Sequence, residues 1–203
     1  MNSKILNNAI NHLNKDKNLK KLITKYDRPV FKSDDNYFNA LSKSIIYQQL
    51  SGKVAKIIYN RFLDLFKNQT PDLELIIDIE NINLRKIGLS KQKTEYIKCL
   101  SKYFHETGNS VDFLSLTDIE IRDELIQIKG IGQWTIDMFL MFTMFRTDIL
   151  PVADLGIKKA YKELFNLKDL PSAKEMIKIS KPWQPYRTIS CCYLWKLLDD
   201  GDV

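Results

Sequence analysis

The sequence has few of the residues from which several classes of protein are built. Its 203 residues include only three cysteines, two histidines, seven glycines and six prolines. Cys99, Cys191 and Cys192 are odd in number, include an adjacent pair and show no C-x-x-C spacing. We therefore predict that they are reduced, buried and apolar, and not a disulfide framework. With only His12 and His105 beside them, the sequence offers no metal-catalytic constellation and predicts no metal site.

Long apolar runs are absent as well. The longest uncharged, apolar-leaning run covers residues 138–145 and is far too short to cross a bilayer. Residues 1–20 are polar and lack the apolar core of a signal peptide. We therefore expect a cytoplasmic protein without a membrane partner, associated with the nucleoid if its source is bacterial.

Acidic residues are too few to balance the basic ones. Lys and Arg total 31 against 25 Asp and Glu, which gives a net charge of +6. This balance favours a polyanionic partner only weakly, because a biased genome composition also enriches Lys, Asn and Ile. Charge alone leaves a nucleic-acid partner open. The 44% hydrophobic and 28% charged content is typical of a soluble globular chain and argues against disorder.

Strand patterns and internal repeats are missing, and the sequence is typical of one helix after another. Apolar residues recur at helical spacing over 38–46, 54–65 and 97–104, and the stretch 183–200 predicts a last amphipathic helix after Pro185. Cap residues mark several helix starts. The predicted caps are Ser33, Ser51, Thr70 and Ser90, with capping boxes at Thr117/Glu120 and Ser172/Glu175. We predict an all-α protein of two helical lobes, with the N-terminus returning to one of them.

Two of the seven glycines lie one residue apart in the stretch LIQIKGIGQWT, residues 125–135. We predict a helix over 117–128, a deeply buried helix over 133–145, and a tight turn between them. Gly130 and Gly132 permit positive φ and close backbone approach, while Ile131 plugs back between the helices. The N–H groups of the turn then point outward together and can bind an anion such as phosphate. The alternative is a tight αα-hairpin without a ligand.

Three segments resemble a known family in its own order. The stretch from 125 to 161 holds the hairpin followed by a Pro-containing loop, PVADLG, with Asp154 22 residues after Gly132. The segments IIYQQLSGKVAKIIYNRF and WQPYRTISCCYLW resemble the family's Gln-Gln-x-Ser helix and its Trp-x-Pro-Tyr/Trp-Arg signature. Over residues 38–198 the chain thus resembles the helix-hairpin-helix (HhH-GPD) DNA glycosylases, especially the 3-methyladenine DNA glycosylase II branch.

The resemblance implies an architecture. It implies one domain over residues 1–203, a two-lobed helical bundle with the hairpin motif at about 117–145 and an active-site cleft between the lobes. About thirty residues precede the first matching helix, so we expect no separate N-terminal β domain. A monomer is expected for a protein that binds around one damaged site.

Asp154 matches the family's catalytic aspartate. Hydrolysis of an N-glycosidic bond passes through an oxocarbenium-like sugar, which a fixed carboxylate stabilises while it orients or deprotonates the attacking water. The alternative is an N-cap for the helix that begins near Leu155. The two roles are compatible, because a cap holds the carboxylate in place.

Trp134 occupies the position at which strand-cleaving relatives have a Schiff-base lysine, and Lys129 does not match that position. The resemblance therefore implies a monofunctional glycosylase, which leaves an abasic site uncut. It implies no cofactor: three scattered cysteines cannot hold the iron–sulfur cluster of some relatives. A structural monovalent cation at the hairpin is the one ion that the resemblance allows.

The resemblance also suggests binding residues. An electron-rich indole attracts a cationic alkylated purine, and the alternative for each aromatic residue is core packing. The candidates for the base pocket are Trp134, Trp195, Trp183, Tyr186 and Met138, the last standing where the family often has tyrosine. The candidates for DNA contact are Gly130, Ile131 and Gly132, the turn Gln48, Gln49, Leu50 and Ser51, and Arg187, with Lys53, Lys158 and Lys159. The turn either inserts a wedge into the duplex or caps helices.

The resulting expectation is an enzyme of base excision repair that removes alkylated bases such as 3-methyladenine from double-stranded DNA by base flipping. Two alternatives stay open. One is a non-catalytic helix-hairpin-helix protein that only grips DNA phosphates. The other is a glycosylase for oxidised or mismatched bases.

Overall fold

The computed structural model describes residues 1–31 and 36–200. Within these ranges the chain forms twelve α-helices, three short 3₁₀ turns and no strand, as the sequence predicts for an all-α protein. The helices are α1 (Ser3–Leu13), α2 (Lys17–Lys25), α3 (Tyr37–Tyr47), α4 (Gly52–Leu63), α5 (Leu73–Asp78), α6 (Asn81–Lys86), α7 (Lys91–Glu106), α8 (Asp118–Leu125), α9 (Gln133–Phe142), α10 (Leu155–Leu164), α11 (Ala173–Ile179) and α12 (Arg187–Asp199).

Local capping patterns place several helix starts correctly. Both capping boxes form at the predicted residues, before α8 and before α11. Ser90 caps α7 by accepting a hydrogen bond from the backbone N–H of Lys93. The predicted cap Ser33 lies outside the described residues, and Asn36 caps α3. The prediction of Thr70 as a cap is wrong: Asp72 caps α5, because its carboxylate accepts the Leu75 N–H at 3.0 Å.

The chain divides into two compact units. The first unit combines Met1–Ser33 with Leu140–Val203, so the N-terminus joins the C-terminal part of the chain as expected. In this unit α12 packs against α1, α2 and α10. All residues from 188 to 194 are buried, so α12 is enclosed on every side in that stretch. The prediction of an amphipathic last helix is wrong for this reason.

The second unit is the continuous segment Asp34–Phe139. Its central helix is α7, which packs against α3, α5 and α6 and buries Ile97, Leu100 and Phe104. Helix α4 follows its predicted pattern only in part. Ile58 and Phe62 are buried, whereas Val54 and Ile57 are exposed. No helix of the described residues is long and apolar enough to cross a membrane.

The cysteines differ in their accessibility. All three are free thiols; Cys191 and Cys192 are buried and Cys99 is half-buried. Burial raises the pKa of the Cys191 thiol well above its ordinary value and raises the pKa of Cys192 to about 12. The thiolate is the reactive form, so these two thiols are chemically inert in the folded protein.

We therefore predict that one thiol, Cys99, reacts with an aromatic disulfide reagent at pH 8 in the native protein. The other two react only after unfolding in guanidinium chloride. Counting the released chromophore before and after denaturation, alongside a Cys99→Ser variant, checks this. Three equal rates in the native protein would contradict the burial of α12.

Candidate active site

The carboxylate of Asp154 is fixed by two donors. Asp154 is the N-cap of α10, and its Oδ1 accepts the backbone N–H of Ile157 at 2.7 Å. The same oxygen accepts the indole Nε1–H of Trp195 at 3.1 Å. The capping role considered for Asp154 is therefore confirmed. Both hydrogen bonds converge on Oδ1 and together set the orientation of the carboxylate.

Gly156 makes the contact between Asp154 and Trp195 possible. A Cβ atom built at Gly156 would lie 3.0 Å from Asp154 Oδ1 and 3.2 Å from Trp195 Nε1. Such a side chain would separate the indole from the carboxylate. Residue-level reasoning missed Gly156, although its place in the PVADLG loop was a usable signal. Trp195 is half-buried and contacts the ring of Phe142 at a centroid distance of 5.9 Å.

The other candidates for the base pocket differ in how deeply they are buried. Trp134 and Met138 are both half-buried and lie one helical turn apart on α9, so their side chains share a face of that helix. Trp183 is fully buried, donates its Nε1–H to Asp16 Oδ2 at 3.0 Å and packs among aromatic rings. The prediction of Trp183 as a pocket residue is wrong: it packs in the core, and a fully buried indole cannot stack on a base. Tyr186 is half-buried and its ring contacts His12 edge-on.

The hairpin has the predicted order with shorter helices. α8 ends at Leu125 instead of 128, and α9 covers Gln133–Phe142 instead of 133–145. Gly130 has φ +96°, and a Cβ there would lie 2.1 Å from Tyr96 Cγ. Ile131 is buried as predicted. Gly132 has no positive φ, and nothing lies within 4 Å of a Cβ built on it, so only Gly130 is required by the turn itself.

The predicted wedge turn is bonded to the hairpin. The Nε2 of Gln48 donates to Gly130 O at 3.1 Å and to Thr135 Oγ1 at 3.0 Å. Gln49 is exposed with φ +57°, and Leu50 is 38% exposed. Ser51 is the N-cap residue of α4 but makes no side-chain capping bond. A surface pocket of about 400 Å³ lies here, lined by both glutamines, the first turn of α7 and residues 130–132.

The guanidinium of Arg187 is hydrogen-bonded to Asp148. Its Nε donates to Asp148 Oδ1 at 2.7 Å and its NH2 donates to Asp148 Oδ2 at 2.9 Å. The same NH2 donates to the Asp148 carbonyl at 3.1 Å. A bidentate pair of this kind is strong and directional. The structure therefore corrects the phosphate-contact role: Arg187 joins the start of α12 to the loop before PVADLG.

An ion pair across the hairpin was not anticipated. Arg122 NH1 on α8 lies 2.7 Å from Asp137 Oδ1 on α9, and the Asp137 side chain is only 4% exposed. Gln133 Nε2 donates to the same oxygen at 3.1 Å. The signal in the sequence was the single acidic residue of a mainly apolar helix. Because burial of a charge requires a partner, this pair fixes α8 against α9.

We predict that Asp137→Asn lowers the free energy of unfolding by about 2–3 kcal/mol, since removing one member of a buried pair leaves the other uncompensated. This value is reduced from that of a fully buried pair because Arg122 is 26% exposed. Urea unfolding measures it. The control is Lys129→Met, which removes an exposed pair with Glu95 and should leave the midpoint unchanged. Equal midpoints for Asp137→Asn and wild type would contradict the bracing role.

The chain is similar to known proteins of one family. Residues 42–185 match the family described as HhH-GPD superfamily base excision DNA repair protein. The chain is 34% identical over 187 residues to DNA-3-methyladenine glycosylase 1 of Schizosaccharomyces pombe, covering 89% of this chain and 80% of that protein. It is 34% identical over 173 residues to YfjP of Bacillus subtilis, covering 82% of this chain and 60% of YfjP.

A solved structure matches nearly the whole chain. The S. pombe 3-methyladenine DNA glycosylase Mag1, in complex with abasic DNA, superimposes with a TM-score of 0.87 at 30% identity. The match covers 97% of this chain and 98% of the Mag1 chain in that structure. Family match, relatives and fold agree with the hairpin and the capped aspartate described above. The chain belongs to the HhH-GPD superfamily of base excision DNA repair proteins, in the branch that contains the 3-methyladenine DNA glycosylases.

Proposed function

We propose that the protein is a monofunctional DNA glycosylase that hydrolyses the N-glycosidic bond of alkylated bases, such as 3-methyladenine, in double-stranded DNA. The observation on which this rests is the Asp154 carboxylate, fixed at the start of α10 by the Ile157 N–H and the Trp195 indole. Its relatives of the same branch, including one solved with abasic DNA, support this activity.

The chemistry needs a negative charge that does not move. As the bond to the base breaks, C1′ of the sugar gains positive charge, and a preorganised carboxylate stabilises it without reorienting. The same carboxylate accepts the proton of the attacking water as the new C1′–O bond forms. The bonding electrons leave with the base. An alkylated purine is already cationic, so it departs as a neutral molecule and needs no acid to protonate it.

Access to C1′ requires the base to leave the stack, which costs a few kcal/mol. In our proposal the hairpin residues 130–132 bind the DNA backbone, and the exposed Leu50 fills the gap in the duplex, as apolar wedges do elsewhere. Trp134 and Met138 line the base pocket, where the indole face attracts a cationic ring. We propose that one monomer suffices for one damaged site.

At the hairpin, N–H donors of the protein compete with the expected cation for the same carbonyl oxygens. The carbonyl oxygens of Ile128 and Gly130 could coordinate a monovalent cation, but they accept hydrogen bonds from Ile131 N and Gln48 Nε2. A cation there stays a prediction, and the proposed reaction does not depend on it.

A panel of lesion duplexes tests the proposal. Purified protein is incubated with duplexes that contain 3-methyladenine, 7-methylguanine, 8-oxoguanine, a mismatch or no lesion, and released base is measured by chromatography. Release of the methylated purines supports the proposal. Release of only 8-oxoguanine or a mismatched base would identify a different lesion class. DNA binding without release from any duplex would identify a non-catalytic binding protein.

The same panel distinguishes hydrolysis from lyase chemistry. Because Trp134 replaces the Schiff-base lysine of strand-cleaving relatives, borohydride should trap no covalent adduct between protein and DNA. Trapped adduct in the presence of an excised lesion would overturn the monofunctional assignment.

A further inference from the structure

Lys93 is a lysine whose amino group faces inward. It lies in the first turn of α7, and its Nζ donates to Ile46 O at 2.7 Å and to Gln48 O at 2.6 Å. These carbonyls end α3, where the helix has no partners of its own for them and where a positive charge is favourable. Lys93 is half-buried, and burial lowers the pKa of its amino group below the ordinary lysine value.

Gln48, the residue that follows α3, forms hydrogen bonds through both its backbone and its side chain. The carbonyl of Gln48 accepts from Lys93, while its side-chain amide donates to Gly130 O and Thr135 Oγ1. One lysine and one glutamine therefore connect three pieces of chain within the same unit: the end of α3, the start of α7 and the hairpin. The two bonds from Gln48 to the hairpin span 82 and 87 positions of sequence.

The segment held in this way is the 48–50 turn (Gln48, Gln49 and Leu50). Gln49 has φ +57°, a left-handed conformation that a glutamine keeps only when its surroundings impose it. Leu50 N donates to Tyr47 O at 3.3 Å, and Leu50 is an exposed residue, with 38% of its surface accessible. An exposed apolar side chain on a strained turn has a defined position only if the turn is prevented from relaxing.

We propose that Lys93 is a positioning residue for base extrusion: it locks the 48–50 turn to the hairpin, so that seating the hairpin on the DNA backbone drives Leu50 into the duplex. This rests on the proposed glycosylase function. Lys93 acts through the turn and does not contact the reacting atoms. A phosphate contact is the competing role for a lysine at this pocket, and the two carbonyls that its Nζ contacts argue against it.

The experiment compares Lys93→Met with wild type and with Lys91→Met, a matched control that removes an exposed lysine two residues away on the same helix. Affinity and its salt dependence are measured on a duplex with a tetrahydrofuran abasic analogue. Insertion is followed by the fluorescence of 2-aminopurine placed next to that analogue. Excision of 3-methyladenine is measured in single turnovers.

For Lys93→Met we expect excision to slow about 10–100-fold, because a misplacement of roughly 1 Å has effects of this size. The 2-aminopurine signal should be delayed or reduced, while affinity stays within about 3-fold and its salt slope is unchanged. Lys93→Arg, which can still donate to carbonyls, should recover part of the rate. Lys91→Met should show wild-type fluorescence and excision. Wild-type fluorescence in Lys93→Met, or a salt slope smaller by about one phosphate contact, would overturn the proposal.

A second variant guards against loss of the fold in Lys93→Met. Gln48→Met breaks the other side of the same link, so its effect on the fluorescence signal should match that of Lys93→Met and should not add to it in the double variant. Additive effects would show that the two residues act separately and would overturn the proposed lock. If wild type excises no base, the glycosylase proposal fails, while the fluorescence signal still reports whether Leu50 enters the duplex.

Discussion

Asp154→Asn is expected to slow the excision of 3-methyladenine by about 10³-fold, the order of magnitude found when a preorganised electrostatic group is removed from an active site. The fold should be unaffected. Asparagine is as good an N-cap as aspartate, and its amide oxygen can accept the same hydrogen bonds from Ile157 N and Trp195 Nε1 that Oδ1 accepts now. The substitution therefore removes the charge and keeps the geometry.

The measurement is single-turnover release of base at saturating protein, with thermal unfolding recorded in parallel. The matched control is Ser172→Ala, which removes the cap of α11 in the same unit. It should lower stability by about 1 kcal/mol without changing the excision rate. Excision by Asp154→Asn within tenfold of wild type would show that the carboxylate is a cap and that another group supplies the charge.

Gly130→Ala is expected to lower the stability of the protein and Gly132→Ala its affinity for DNA, although the two glycines look equivalent in the sequence. At Gly130 the alanine would have to adopt φ +96° with its Cβ 2.1 Å from Tyr96 Cγ. Backbone strain and overpacking together should lower the free energy of unfolding by roughly 2–5 kcal/mol. At Gly132 the Cβ meets no atom within 4 Å, so the unfolding midpoint should not change.

The affinity for DNA, unlike the stability, should be sensitive to the substitution at Gly132. If residues 130–132 bind the backbone, a methyl group on the exposed Gly132 would stand between the hairpin and a phosphate. We expect affinity for an abasic-analogue duplex to fall about tenfold in Gly132→Ala, the equivalent of one lost hydrogen bond to a charged group. Urea unfolding and fluorescence anisotropy separate the two effects. A stable Gly132→Ala protein with wild-type affinity would contradict the assignment of the hairpin to DNA binding.

Features set by neighbouring residues were predictable, and features set by distant residues were not. The capping boxes and the order of the hairpin depend on side chains within a few positions of one another, so their spacing is visible in the sequence. The burial of Trp183 depends on Asp16, 167 positions earlier. The contact between Gln48 and Gly130 likewise joins residues 82 positions apart. Spacing along the chain carries no signal for such pairs.

The same distinction applies at the candidate active site. The PVADLG loop suggested Asp154 through its resemblance to the family's catalytic loop, and an aspartate before a helix is a local pattern that predicts an N-cap. Its partner Trp195 lies 41 positions away, and its hydrogen bond to Oδ1 depends on Gly156 lacking a side chain. Arg187 was assigned to DNA by its place in the Trp-x-Pro-Tyr/Trp-Arg signature. Only the fold shows that Asp148, 39 positions earlier, already satisfies it.

The division of the chain also sets an order of events during synthesis on the ribosome. The segment Asp34–Phe139 is continuous, so it can fold as soon as α9 has emerged. The unit that contains α1 and α2 cannot, because those helices pack on α12, and Lys196 on α12 donates to the carbonyl of Asp27 across 169 positions. Helices α1 and α2 must therefore wait for α12. In a nascent chain that stalls before residue 187, the apolar surfaces of α1 and α2 that pack on α12 stay uncovered and become a target for chaperones.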